Sequence, residues 1–304
     1  MERPCAPRAQ AVSSADASAG HEVYGLHLIG VADGGLPAAS GSGRPRVLVS
    51  HAQHSPEPVC IGTERAVLDL PDGRQLLVQR DKGIATFTGP PLKHDELVHP
   101  YLGAAASIFN RWSGHEVFHA GAFVSGGRAW AVVGGREAGK SSLLAALAAR
   151  RLPVLADDLV VTDGQQVFCG PRIIDLRRPL PSSNEPMTRA RGASRWRLSL
   201  PALPGAVPLG GWIYLRWRSE VAMPMVPVSV LLARLAARRT WPSLPSNPET
   251  LLALAAHPGW DLGRPADWTR MDEVVDLMLE TLRAAPITST LRLDLDQSRG
   301  GAPI

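Results

Sequence analysis

Residues 134–141, Gly134-Gly135-Arg136-Glu137-Ala138-Gly139-Lys140-Ser141, fit the pattern Gly-x-x-x-x-Gly-Lys-Ser/Thr. The chemistry open to such a segment is the cradling of a phosphate chain. The backbone must approach the anion closely, so glycines stand where a Cβ would block the way or where φ is positive. Successive N–H groups and the N-terminus of a following helix then point at the negative charge. Lys140 adds a mobile cation for the β- and γ-phosphates, Ser141 offers a hydroxyl to Mg²⁺, and Ser142 extends the same surface. Such a loop needs an acidic partner for the metal or for the attacking nucleophile. Asp157-Asp158, at the end of the apolar run Val154-Leu155-Ala156, is the best placed pair. Adjacent carboxylates on a strand point to opposite faces, so one is expected to face the phosphates while the other turns aside or holds metal. Asp163 and Asp175 are competing metal positions.

The elements around these residues suit the task. An apolar run at 118–124, the turn Ser125-Gly126-Gly127-Arg128 and a second run at 129–133 read as a β-hairpin feeding the loop. Residues 141–151 then read as a helix, with Leu143, Leu144, Leu147 and Ala148 on one stripe. Upstream, residues 1–20 read as a disordered tail, and residues 21–98 as a small β-rich unit of short strands between turns such as Pro71-Asp72-Gly73. Residues 99–304 are expected to form the phosphate-binding domain, opening with a helix over 99–112. Residues 177–210, rich in Arg, Pro and Ser, read as a long loop. A strand over 212–217 and helices over 228–239, 248–256 and 271–284 close the chain. The expected class is α/β with a helical C-terminal region.

Composition excludes several alternatives. Apolar residues at 45% and charged residues at 20% give a globular chain with a real core. Lysine occurs only as Lys82, Lys93 and Lys140, so nearly all of the 32 basic residues are arginine. The net charge of +4 is small and dispersed, which argues against nucleic acid as a partner. Cys5, Cys60 and Cys169 are too few and too scattered for a disulfide framework or a cysteine zinc site. Apolar runs stay short of the roughly 18 residues of a membrane helix, and the N-terminus lacks a signal-peptide core, so the expected location is the cytoplasm. No Leu-Ser-Gly-Gly-Gln signature and no Asn-Lys-x-Asp guanine reader occur, which removes transporter ATPases and GTPases.

Phe118-His119-Ala120, the 134–141 loop and Leu155-Ala156-Asp157-Asp158 together resemble the catalytic core of HPr kinase/phosphorylase and its HPr-kinase-like relatives. His119 lies 21 residues before Lys140 and Asp157 lies 17 after it, as in that family. The resemblance spans residues 115–180, about a fifth of the chain. It implies a P-loop kinase core of the HPr kinase/phosphoenolpyruvate carboxykinase type that uses ATP and Mg²⁺. Carried over, His119 stands near the transferred phosphoryl group, Asp157 is the general base for an acceptor hydroxyl, and Asp158 joins Ser141 in holding Mg²⁺. His99 and His115 gain no support from it. Arg136-Glu137 replaces the small or acidic residues usual inside the family's loop. The first 100 residues differ from the family's N-terminal domain, and the C-terminal third lacks the segment that grips HPr.

The leading expectation is therefore an ATP-dependent kinase moving the γ-phosphoryl to a hydroxyl, serine foremost, of a peptide, protein or small molecule other than HPr. The competing one is an ATP-binding accessory or switch protein with slow hydrolysis and no acceptor. A homo-oligomer is compatible with either. Arg172, Arg177, Arg178, Arg189, Arg191, Arg195 and Arg197 read as a solvated loop, or as an anion-binding lid over ATP or an acidic acceptor.

Overall fold

The alternation of apolar and polar residues between 21 and 88 produces seven strands: β1 (His21–Val23), β2 (Leu26–Ile29), β3 (Arg46–Ala52), β4 (Cys60–Ile61), β5 (Arg65–Asp69), β6 (Gln75–Gln79) and β7 (Ile84–Thr88). They form one sheet in the order β1-β2-β3-β7-β6-β5-β4. This is a computed structural model, and it describes residues 20–32, 35–39, 43–53, 57–181, 185–203 and 205–285. The expected tail, Gly20 apart, lies outside the described residues, as does Cys5.

One turn, α1 (His94–Glu96), leads through Leu97–Tyr101 into helix α2 (Leu102–Trp112). The helix starts later than its periodicity predicts, because His99 precedes Pro100 and adopts extended backbone (φ −151°, ψ 122°). Crowding by the proline ring disfavours the helical region at that residue. Leu102, Ala105, Ile108 and Phe109 of α2 bury against Val47, Leu76, Val78 and Phe87 of the sheet in one continuous core. Hydrogen bonds tie α2 to this sheet and the sheet to the rest of the chain. Asn110 Nδ2 donates to the Tyr24 carbonyl at 3.0 Å, and the Tyr24 N–H donates to the Cys169 carbonyl at 2.7 Å.

A second sheet follows from β8 (Glu116–Phe118), β9 (Ala120–Ser125), β10 (Arg128–Val133), β11 (Val154–Ala156), β12 (Val160–Thr162), β13 (Gln166–Phe168), β17 (Ala206–Trp217) and β18 (Gly259–Arg264). Helix α3 (Lys140–Ala149) connects β10 to β11. Its Leu143, Leu144 and Leu147 are fully buried, each contributing roughly 1.5–3 kcal/mol. Gly121 on β9 permits this packing, since a Cβ there would meet Leu144 Cδ1 at 2.3 Å. Helices α4 (Val228–Arg238), α5 (Pro248–Ala256) and α6 (Met271–Arg283) lie within a residue of their predicted bounds. Their signals are strong: α5 opens with Asn247 accepting from the Glu249 N–H and Pro248 just inside the helix. The C-terminal region is not wholly helical, because β18 runs between α5 and α6.

The expected long loop at 177–210 is corrected. Strands β14 (Ile173–Leu176), β15 (Met187–Ala190) and β16 (Arg195–Ser199) form a three-stranded sheet in the order β14-β16-β15. Cross-strand partners give the arginines their places. Arg197 faces Asp175 in the register and donates to both of its carboxylate oxygens at 2.7 and 2.8 Å. Arg189 faces Trp196 and lies 3.8 Å over its ring. Such opposite-charge and cation–aromatic pairs stabilise a ladder without an apolar pattern to announce it. The architecture is mixed α/β. No helix among the described residues is long and apolar enough to cross a membrane.

Candidate functional site

Strand direction decides which residues meet. β10 runs parallel to β17, and β17 parallel to β18. β9 is antiparallel to both β10 and β11, so two reversals make β11 parallel to β10. Four strands thus end at one edge, where α/β sheets commonly open their ligand crevice. The 134–141 loop follows β10 there, Asp157 and Asp158 follow β11, and Arg264 ends β18. Because β9 runs the other way, its start lies at the same edge, with Ala120 opposite Val133 and His119 just before it.

Loop residues, the two aspartates and His119 line a cleft of about 860 Å³. It contains His119, Arg136, Glu137, Gly139, Lys140, Ser141, Ser142, Asp157, Asp158 and Asp175, all singled out by the sequence, together with His99. Asp163 is elsewhere: it accepts from the Gln165 and Gln166 N–H groups in a turn. His115 is also apart, its Nδ1 2.8 Å from Asn110 Oδ1.

Within the loop, Glu137 (φ 65°) and Gly139 (φ 78°) take left-handed conformations that curl the backbone before the first turn of α3. Lys140 is buried and donates from Nζ to the Gly134 and Gly135 carbonyls at 3.0 and 3.1 Å. Burial lowers its pKa, against the opposing pull of Asp158 and Asp157. The Ser141 hydroxyl donates to Asp157 Oδ1 at 3.1 Å.

The aspartates depart from the expected alternation. β11 ends at Ala156, and Asp158 has φ 67°, a left-handed turn that Asp tolerates better than most residues. Both carboxylates therefore face the cleft. Asp157 is 5% exposed, and burial, reinforced by the neighbouring charge of Asp158, pushes its carboxyl up to about 7. Asp158 is more open. Its Oδ1 lies 3.9 Å from His119 Nδ1 and its Oδ2 3.3 Å from His99 Nε2. Burial lowers the pKa of both histidines; Lys140 adds to the effect at His119.

Two groups escaped the sequence reading. His99 had only its position before a proline to mark it. Arg264 sits among helices with no motif around it. Its Nη2 donates to the Ala138 carbonyl at 2.6 Å, its guanidinium lies 4.3 Å over the Trp217 ring, and burial lowers its pKa to about 10. A Cβ on Gly139 would meet Arg264 Nη2 at 2.3 Å. Gly139→Ala is therefore expected to lower stability by about 1–3 kcal/mol, through the left-handed φ and this contact. A denaturant titration checks it, and an unchanged midpoint would contradict the tight seat of the loop.

The donor set suits a nucleotide-borne Mg²⁺ better than a metal caged by protein. Among the described residues no cluster of three or more His, Cys, Asp or Glu forms a metal cage. Mg²⁺ bound with phosphates needs only one or two protein oxygens. The Ser141 hydroxyl and the two carboxylates are hard-oxygen donors of that kind, and the space where a Cβ of Gly135 would stand is open.

No family model and no curated protein matches this chain. Among solved structures it is similar to the HPr(Ser) kinase/phosphatase from Coxiella burnetii, at 13% identity and a TM-score of 0.31, over 55% of this chain and 97% of that chain.

Proposed function

We propose that this protein is an ATP-dependent phosphotransferase that moves the γ-phosphoryl of ATP to a hydroxyl, serine foremost, of a peptide, protein or small molecule. In this reading it is a cytoplasmic P-loop kinase of the HPr kinase/phosphoenolpyruvate carboxykinase type. The observation that carries it is the meeting of the 134–141 loop with a buried carboxylate, Asp157, 3.1 Å from Ser141.

The loop N–H groups and Lys140 hold the phosphates, Lys140 exchanging its contacts to the Gly134 and Gly135 carbonyls for phosphate oxygens. Mg²⁺, when bound at Ser141 and Asp158, neutralises charge on the phosphates. Asp157 accepts the proton of the acceptor hydroxyl, whose oxygen bonds to the γ-phosphorus as the bond to the bridging oxygen breaks and ADP leaves. His119, between Lys140 and Asp158, orients the aspartate and donates toward the transferring group.

The Ser141–Asp157 hydrogen bond also favours a second reading, in which Asp157 serves the metal alongside Ser141 and Asp158 takes the proton. Lys140→Ala tests the common ground. It should weaken ATP binding by about 1.5–3 kcal/mol, the worth of a charge-assisted hydrogen bond. Calorimetry giving unchanged affinity would end the nucleotide assignment.

A further inference from the structure

The arginines of the three-stranded sheet divide sharply by partner. Arg172 donates to the carbonyls of Val154, Leu155 and Pro201. Arg177 pairs with Glu137, and Arg197 with Asp175. Arg178, Arg191 and Arg195 also line the cleft, yet among the described residues no carboxylate pairs with their side chains. Asp95 accepts from the Arg191 backbone N–H at 3.0 Å. Among the described residues Arg195 donates to the adjacent Ser194 carbonyl alone, at 3.3 Å. Guanidinium groups that line a cleft with no ion-pair partner of their own suit a ligand carboxylate or phosphate, which they bind in bidentate fashion.

That charge shares the cleft with the phosphate loop. The charged groups acting on Lys140 are Asp158, Asp157 and Arg238. Those acting on His99 are Asp158, Asp175, Arg191 and Arg197. Asp158 belongs to both sets, with His119 at one oxygen and His99 at the other. The nucleotide's phosphates belong with Lys140. Contacts place Arg191 on the His99 side instead: its N–H donates to Asp95, the Asp95 carbonyl accepts from Arg197, and Arg197 pairs with Asp175, 4.0 Å from His99.

We propose that the phosphoryl acceptor carries an anionic group near its hydroxyl, and that Arg191 and Arg195 bind this group on the His99 side of Asp158. The proposal rests on the kinase reading and names its substrate class: a hydroxy acid, or a serine flanked by acidic side chains. The shared chemistry is a carboxylate within a few bonds of the hydroxyl.

The test is calorimetry on the full chain loaded with Mg²⁺ and a non-transferable ATP analogue. The probes are glycerate against glycerol, and the capped peptide Asp-Asp-Ser-Asp-Asp against Asn-Asn-Ser-Asn-Asn. At least one anionic probe should bind about tenfold or more tightly than its neutral match. Preference for the peptide points to an acidic segment, and preference for glycerate to a free hydroxy acid. Joint Arg191→Gln and Arg195→Gln substitution should remove that preference while Mg·ATP affinity stays within about twofold. Arg191→Lys with Arg195→Lys, which keeps the charge and favours folding, should retain part of it. Equal binding of neutral and anionic probes, binding of neither, or loss of Mg·ATP affinity in the variants would overturn the proposal. Wild-type protein that binds the anionic probes but no Mg·ATP would instead remove the kinase reading and leave an anion site.

Discussion

Asp157→Asn is expected to slow single-turnover phosphoryl transfer by about 10²–10⁴-fold, the usual loss when a general base is removed. Mg·ATP affinity should hold within a few-fold. Asparagine keeps the size of the side chain and can still accept from the Ser141 hydroxyl, so the 3.1 Å contact survives. What it loses is the ability to take a proton. Asp158→Asn should behave differently, raising the Mg²⁺ concentration needed for activity, because an amide is a poorer ligand for a hard cation. The two variants, measured by ATP titration and single-turnover transfer, separate the two role assignments. If Asp157→Asn raises the Mg²⁺ requirement and Asp158→Asn stops transfer, the carboxylates exchange roles. If neither variant changes either quantity, the pair is a turn and the kinase reading falls with it.

The parts of this molecule that were legible in the sequence are those whose physics is local. The loop needs glycine at fixed places, and Gly139 does adopt the left-handed φ that a helix entry of this kind requires. Helices α4 to α6 were legible as helical stretches of the sequence, and of the three only α5 carries a side-chain cap, at Asn247. Strands β15 and β16 were not, since their pairing rests on side-chain partners rather than an apolar pattern: Arg197 with Asp175 on β14, and Arg189 with Trp196 across the hairpin. The side chains that meet at this edge of the sheet show the same division. Asp157 and Asp158 are marked by the apolar run before them. His99 reaches Asp158 only because the backbone at Pro100 breaks the helical path, and Arg264 arrives from a strand more than a hundred residues after the loop it touches. Alternation predicted opposite faces for the two aspartates. The left-handed turn at Asp158 overrides it, and a turn of that kind at a non-glycine residue leaves no composition signal.

Arg111→Ala is expected to have the largest effect on stability, about 3–5 kcal/mol, because it strands a buried charge. Arg111 and Glu116 are 3% and 0% exposed and form an ion pair between α2 and β8. The guanidinium also donates to the carbonyls of Leu244 and Pro245 at 3.2 and 2.7 Å, while the Ser246 hydroxyl donates to the other oxygen of Glu116. Removing Arg111 leaves the Glu116 carboxylate in the core with a single hydroxyl for company, and takes a donor from three carbonyls, that of His115 included. The expected readout is a lower denaturant midpoint with an unchanged slope, since the surface exposed on unfolding is the same. Replacing both partners, Arg111→Met with Glu116→Leu, should recover much of the loss, as apolar residues often substitute for a buried pair at little penalty. A double variant as unstable as Arg111→Ala would show that the carbonyl contacts, rather than the ion pair, hold the segment. The site is exposed to this loss as well. His99 enters the cleft just before α2 and His119 just after β8, so the pair that clamps α2 to β8 holds both histidines against Asp158. Arg111→Ala should therefore reduce phosphoryl transfer even where the protein remains folded, and the double variant should restore both properties together.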